Sequence, residues 1–128
     1  ATGQIQHRRQ LRGIVEQIRG RLNKSPSASC IFEGDTSFDY LLLGSAASIL
    51  AEEYKKPAFI FKRKEKESLG SVRAPSGYNT VEAMKSCSKL LITFGGHAKA
   101  SGFRVANKNL QKFKESLIKY FLSHARTT

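Results

Sequence analysis

A chain of 128 residues with 40% hydrophobic content is long enough to bury one real core and too short for two comfortable domains. Its 22 Lys and Arg against 10 Asp and Glu leave a net charge of +12, which favours a polyanionic partner: nucleic acid first, an anionic membrane surface second. No apolar run approaches the roughly 20 residues of a membrane span, no signal-peptide pattern opens the chain, and Cys30 and Cys87 stand far apart without CxxC or Cys/His clustering. Membrane insertion, a disulfide framework and a zinc site are therefore set aside. The expectation is a soluble, cytoplasmic protein with two buried thiols. The chain starts at Ala1 without an initiator methionine and passes directly into a charged helical pattern, as a fragment of a longer polypeptide would.

The spacing of Leu11, Ile14, Val15, Ile18 and Leu22 predicts an amphipathic helix over 6–23, with Arg8, Arg9, Arg12, Arg19 and Arg21 on its other faces. It is expected to pack on the domain while connecting to something upstream, giving a basic connecting helix over 1–24 ahead of a main domain over 25–128. A Ser/Pro/Lys loop leads to a short strand over 29–32, closed by a turn at Glu33-Gly34-Asp35. A second helix is predicted over 38–54, with Asp35, Thr36 or Ser37 as its N-cap. Leu43, Ala47, Leu50 and Tyr54 form its buried face, widened by Leu41, Leu42, Ala46 and Ala51. The small residues Gly44-Ser45-Ala46-Ala47-Ser48 suit close packing against a sheet. Pro57 ends this helix, an apolar strand follows over 58–61, and the mixed-sign run over 62–67 reads as a solvated hairpin or loop.

A strand over 68–73 then meets the turn Ala74-Pro75-Ser76-Gly77. Arg73 leaves that strand in the company of Ser71 and Ser76, where its planar fork could grip a phosphate. Asn79-Thr80-Val81-Glu82 is a capping box that opens a short helix. The apolar run over 90–94 either extends that helix or forms a strand; periodicity does not decide. Next comes Gly95-Gly96-His97-Ala98-Lys99-Ala100-Ser101-Gly102-Phe103. Here Gly95 and Gly96 could turn their amides towards one point, His97 adds a ring donor, Lys99 adds a charge, and the small residues leave room for a sugar-phosphate chain. A tight turn followed by a surface histidine is the competing expectation. A strand over 101–106 should point Phe103 and Val105 inwards and Arg104 outwards. Asn107 can cap a last helix reaching Ser123, with Leu110, Phe113, Leu117, Ile118 and Phe121 as its apolar face. The order of elements predicts a single compact α/β domain, a small mixed sheet flanked by helices.

Taken in sequence, Gly44 to Tyr54, Lys56-Pro57-Ala58, Gly70-Ser71-Val72-Arg73, Glu82-Ala83, Phe94-Gly95-Gly96-His97 and Ala100-Ser101-Gly102-Phe103 resemble the DHH-associated domain. That domain is the C-terminal, substrate-binding part of DHH phosphoesterases, and the resemblance over 6–121 is to the RecJ-like single-stranded-DNA exonucleases. It implies a two-part enzyme that degrades single-stranded DNA from the 5′ end. A DHH domain outside this chain would hold two manganese or magnesium ions, and the associated domain would close over single-stranded nucleic acid, DNA favoured. Carried onto this chain, Gly95, Gly96 and His97, with Lys99, would bind a substrate phosphate; Arg73, with Ser71 and Arg104, would contact the strand. The chain departs from the family pattern in having Ser101 where alanine is usual, Ile49 where arginine is common, and no histidine-glycine approach over 35–43. It also contains no Asp-His-His triplet, only Asp35 and Asp39 as aspartates, and scattered His7, His97 and His124. A two-metal site cannot be assembled from these, so this chain is expected to bind and not to cut. Two alternatives stand beside the exonuclease: a non-catalytic nucleic-acid-binding relative, and a DHH phosphoesterase acting on short RNA or cyclic dinucleotides. An enzyme in its own right, with His97 as base, lacks any evident partner to orient that ring. Tyr78 and Phe103 are the candidate base-stacking aromatics, Phe103 being better suited to the core.

Overall fold

The apolar stripe of the first helix decides how the chain begins to fold. In the computed structural model, which describes residues 2–26 and 28–124, α1 (Thr2–Lys24) buries Ile14, Val15, Ile18 and Leu22, while residues 3–10 are exposed. The four buried residues share one core with Leu43, Ala46, Ala47, Leu50 and Ala51 of α2 (Leu43–Tyr54) and with Ile31, Ala58 and Ile60 of the sheet. Arg19 fastens the two helices at the surface, pairing with Glu53 of α2 and with Glu16.

The sheet is mixed. Its strands are β1 (Ile31–Asp35), β2 (Ala58–Arg63), β3 (Glu67–Arg73), β4 (Leu91–His97) and β5 (Ala100–Ala106), in the order β1-β2-β3-β5-β4. Only β1 and β2 run parallel, joined through α2; the other pairs are antiparallel. A short helix, α3 (Thr80–Lys85), carries the chain from β3 to β4, and the β4–β5 hairpin slots β5 between them. The final helix, α4 (Leu110–Ser123), buries Leu110, Phe113, Leu117 and Phe121. These join Phe32, Phe59, Phe61, Val72, Phe103 and Val105 in a second core on the opposite face of the sheet from α1 and α2. Phe103 and Phe113 meet edge to face, ring centres 5.0 Å apart. Gly70 makes this contact feasible, since a Cβ there would lie 2.2 Å from the Phe103 ring. The helices and the mixed sheet thus form the single α/β domain that the order of elements predicts.

Several local expectations are corrected. Residues 33–35 are not a turn but the end of β1, paired with β2. The strand persists because Arg21 of α1 braces this outer edge, donating to the Gly34 carbonyl at 2.9 Å and pairing with Glu33 and Asp35. The chain turns afterwards, and a 3-10 turn (Tyr40–Leu42) precedes α2. The cap is Asp39, whose carboxylate accepts from the Leu41 amide at 2.9 Å; Asp35 accepts instead from the amide and hydroxyl of Ser37. Leu41 lies off the buried face altogether, 80% exposed, because the 3-10 turn breaks the helical register there. The apolar run after α3 forms β4. Asn107 caps no helix: its amide donates to the Lys64 carbonyl at 2.7 Å and its oxygen accepts from Ser68, tying the β2–β3 turn to the end of β5. Asn79 does cap α3, accepting from the Glu82 amide at 3.0 Å. Cys30 is buried, whereas Cys87 is only partly so.

Candidate functional site

Strand alternation places the candidate residues. In β3, Ser68, Gly70 and Val72 are buried on the α4 side, so Leu69, Ser71 and Arg73 face the side of α2. Register then fixes their neighbours on that face. Arg73 lies opposite Ala100 and Ala100 opposite His97; Ser71 lies opposite Gly102 and Gly102 opposite Gly95; Leu69 lies opposite Arg104 and Arg104 opposite Thr93. Three parallel rows result, about 7 Å apart along the strands. Helix α2 packs over β2 and β3, and beyond it Thr93, Gly95, His97 and Arg104 are exposed. Ser71, Arg73, Gly95, His97 and Arg104, far apart in sequence, thus share one open face of the sheet.

The middle row is bare. Ser71, Gly102 and Gly95 supply one hydroxymethyl group among them, and a Cβ at Gly95 would meet nothing within 4 Å. Glycine at 95 is therefore not demanded by packing; it leaves the floor of the face flat. The neighbouring glycine has a different role. Gly96 has φ +129°, and a Cβ there would lie 2.6 Å from the Ala100 carbonyl oxygen, so its backbone requires glycine. Gly96 pairs with Ser101, one residue out of phase with the open face. The glycine-histidine stretch is accordingly the end of a strand and a hairpin turn, with Gly95 in the floor, Gly96 shaping the backbone, His97 at the strand end and Lys99 in the turn.

That turn is pinned from below. The buried Thr80 hydroxyl donates to the Ala98 carbonyl at 2.8 Å and meets the Ser101 hydroxyl at 2.8 Å, while the Thr80 amide also donates to Ala98. The Ala74 amide donates to the Lys99 carbonyl at 3.0 Å. Arg73 and Lys99 then line one hollow of about 290 Å³ together with Ser48, Glu52 and Ser76. A second hollow, about 310 Å³, lies over the glycine floor, lined by Tyr40, Ser71, Thr93, Gly95, Gly102 and Arg104 among others.

The two arginines of this face differ in charge balance. Arg104 is held by Glu67 through contacts of 2.9–3.2 Å, so its charge is largely matched. Arg73 donates to the Val72 carbonyl at 2.8 Å and has no carboxylate partner among the described residues. Its guanidinium rests on the first turn of α2, where a Cβ at Gly44 would lie 2.7 Å from Nη2 and where no acidic residue occurs. The small-residue stretch of α2 therefore serves two ends: Ala46 and Ala47 pack the core, and Gly44 seats Arg73.

Burial pushes the Cys30 thiol up to about 12, which keeps it protonated and unreactive. Among the described residues, no group of three or more His, Cys, Asp or Glu side chains is placed to hold a metal ion. Nor is any described helix long and apolar enough to cross a membrane. Phe103 is 4% exposed and belongs to the core, and Tyr78 packs its ring edge-on against Phe121 at 6.0 Å. Among the described residues, an aromatic that does line the open face is Tyr40, 50% exposed, which the sequence conceals in an apolar run ahead of α2.

An α/β domain with a cationic, glycine-floored sheet face defines a class, and that class has a family: the DHHA1 domain model matches residues 2–123, and the chain belongs to the DHHA1 domain family. Among individual proteins it is similar to the single-stranded-DNA-specific exonuclease RecJ of Thermus thermophilus, with 30% identity over 95 residues. The match covers 74% of this chain and 14% of that protein, so the chain spans a small part of the relative's length. Its fold matches the crystal structure of Thermus thermophilus RecJ in complex with Mg²⁺, at a TM-score of 0.83 and 23% identity, over 97% of this chain and 19% of that one. The fold is also similar to the C-Ala domain of Aquifex aeolicus alanyl-tRNA synthetase, at a TM-score of 0.60 and 20% identity, over 73% of this chain and 90% of that one.

Proposed function

We propose that this domain binds the substrate strand of a RecJ-like enzyme that degrades single-stranded DNA from its 5′ end, with the cutting done by a metal-bearing DHH domain outside this sequence. The observation that carries this reading is the row Arg73–Ala100–His97 beside the bare row Ser71–Gly102–Gly95. A phosphodiester backbone needs donors and positive charge at its non-bridging oxygens and little bulk beneath it. Arg73 and His97 supply the donors at the two ends of one row, Lys99 adds charge beside Arg73, and the glycines leave the floor clear. Arg104 contributes less, since Glu67 competes for its guanidinium. Manganese or magnesium would belong to the absent domain, consistent with a RecJ structure that carries Mg²⁺. The exposed first turns of α1 would run towards that domain.

The test is binding of this chain to a single-stranded oligonucleotide, with and without a 5′-phosphate, across a salt series, in parallel with His97→Ala and Arg73→Ala. Steep salt dependence together with a phosphate-specific loss in both variants supports the assignment. Variants that bind like the parent would move the affinity to the diffuse basic surface and remove His97 and Arg73 from the site.

A further inference from the structure

We infer that Tyr40 is a nucleobase platform: a base of the bound strand stacks on its ring in the hollow above Gly95 and Gly102, while the adjoining phosphate lies on the Arg73–His97 row. The inference rests on the proposed strand-binding function and specifies what part of the strand the second hollow takes. Tyr40 lines that hollow together with Ser71, Gly95 and Gly102, and the residue is half exposed. Large aromatic surface left open beside a cationic groove has the makeup of a single-strand site, where stacking tolerates any base and cations follow the backbone.

The loop that carries the ring is held in place before any ligand arrives. Phe38 is buried to 1% exposure and anchors the loop ahead of Tyr40. Lys62 donates to the carbonyls of Thr36 and Phe38 at 2.8 and 2.9 Å, Asp35 accepts from Ser37, and Asp39 caps the 3-10 turn through the Leu41 amide. Four separate contacts thus fix a loop whose outward residues, Tyr40 and Leu41, are 50% and 80% exposed. A rigid loop that presents apolar surface to water gains nothing for folding by doing so; it does lower the entropy cost of receiving a flat ring. The glycine floor fits the same occupant, because a side chain at 95 would project into the space over which the base must lie. Row spacing agrees as well: the middle row is about 7 Å from the Arg73–His97 row, within reach of a base from its own phosphate.

The experiment compares three oligonucleotides on the 128-residue chain: a single strand with bases, the same length with abasic sugars throughout, and the base-bearing strand without its 5′-phosphate. Tyr40→Ala is expected to weaken the base-bearing strand by about fivefold to about a hundredfold, the range of one base stack, and to leave the abasic strand unchanged. Tyr40→Phe should bind like the parent. Since the chain contains no tryptophan, Tyr40→Trp gives a single indole whose fluorescence should be quenched by the base-bearing strand and not by the abasic one. Equal behaviour of Tyr40→Ala and parent on bases, or equal losses on both strands, overturns the platform while the phosphate dependence of the parent stands. A parent that binds none of the three overturns the platform and the proposed function together.

Discussion

Arg73 and His97 face the same side of the sheet in one row, two strands apart, with only the methyl group of Ala100 between them. Their Cα atoms lie about 10 Å apart, two strand spacings, so both side chains can reach one phosphate from opposite sides. Arg73→Ala and His97→Ala should each weaken a 5′-phosphorylated strand by about 1.5–3 kcal/mol, the scale of a hydrogen bond to a charged group. If both hold one phosphate, the double variant loses less than the sum of the singles. Isothermal titration of the four proteins measures that coupling, and strict additivity would assign the residues to different phosphates.

Adjacent glycines should respond in opposite ways. Gly95→Val should leave thermal stability within about 0.5 kcal/mol of the parent, because its Cβ meets open space. It should still depress strand binding by filling the floor. Gly96→Ala should cost about 1–3 kcal/mol of stability, since φ of +129° and a carbonyl oxygen at 2.6 Å leave a methyl group no place. Thermal melts of the two variants, read beside their oligonucleotide affinities, check both halves.

Thr80 supports the hairpin that carries Lys99. Thr80→Val removes the hydroxyl's hydrogen bond to the Ala98 carbonyl, though not the amide's, and leaves the buried Ser101 hydroxyl without that partner, a loss of about 1–3 kcal/mol. Ser101→Ala should cost less, because the Thr80 hydroxyl keeps its 2.8 Å contact with the Ala98 carbonyl. Denaturant midpoints order the two variants, and the reverse order would show that Ser101 has a further role.

Asp35 makes stability depend on pH at the braced edge of β1. The Ser37 hydroxyl and amide, with Arg21 behind them, hold its carboxyl below the ordinary value of 3.8. A depressed carboxyl stabilises the folded state above the unfolded value and loses that contribution as pH falls through the folded one. Asp35→Asn should therefore cost about 1 kcal/mol at neutral pH. The gap between parent and variant should close as pH drops below 3.8. Chemical denaturation at pH 7 and in the acid range tests the sign; a gap that persists in acid would point to packing instead of charge.

The class of fold is legible in the sequence because its signals are local. The stripe of Ile14, Val15, Ile18 and Leu22, the Asn79 capping box and the alternation around Phe103 and Val105 each reflect the periodicity of one element, and each element forms as its pattern requires. The ordered small-residue and glycine-histidine motifs also placed the chain in its family. Signals failed where a remote contact outweighed a local one. Glu33-Gly34-Asp35 reads as a turn and forms strand because Arg21, on another element, braces its edge. Leu41 reads as core and lies exposed because Asp39 and the anchored Phe38 wind a 3-10 turn there. The makeup of the open face emerges from the assembled sheet, since strand register sets which distant residues share a row. Nothing local in Gly102 or Ser71 reveals that both adjoin the Arg73–His97 row, and nothing in the run Tyr40-Leu41-Leu42-Leu43 shows that its first residue lines the same hollow as Gly95 and Gly102.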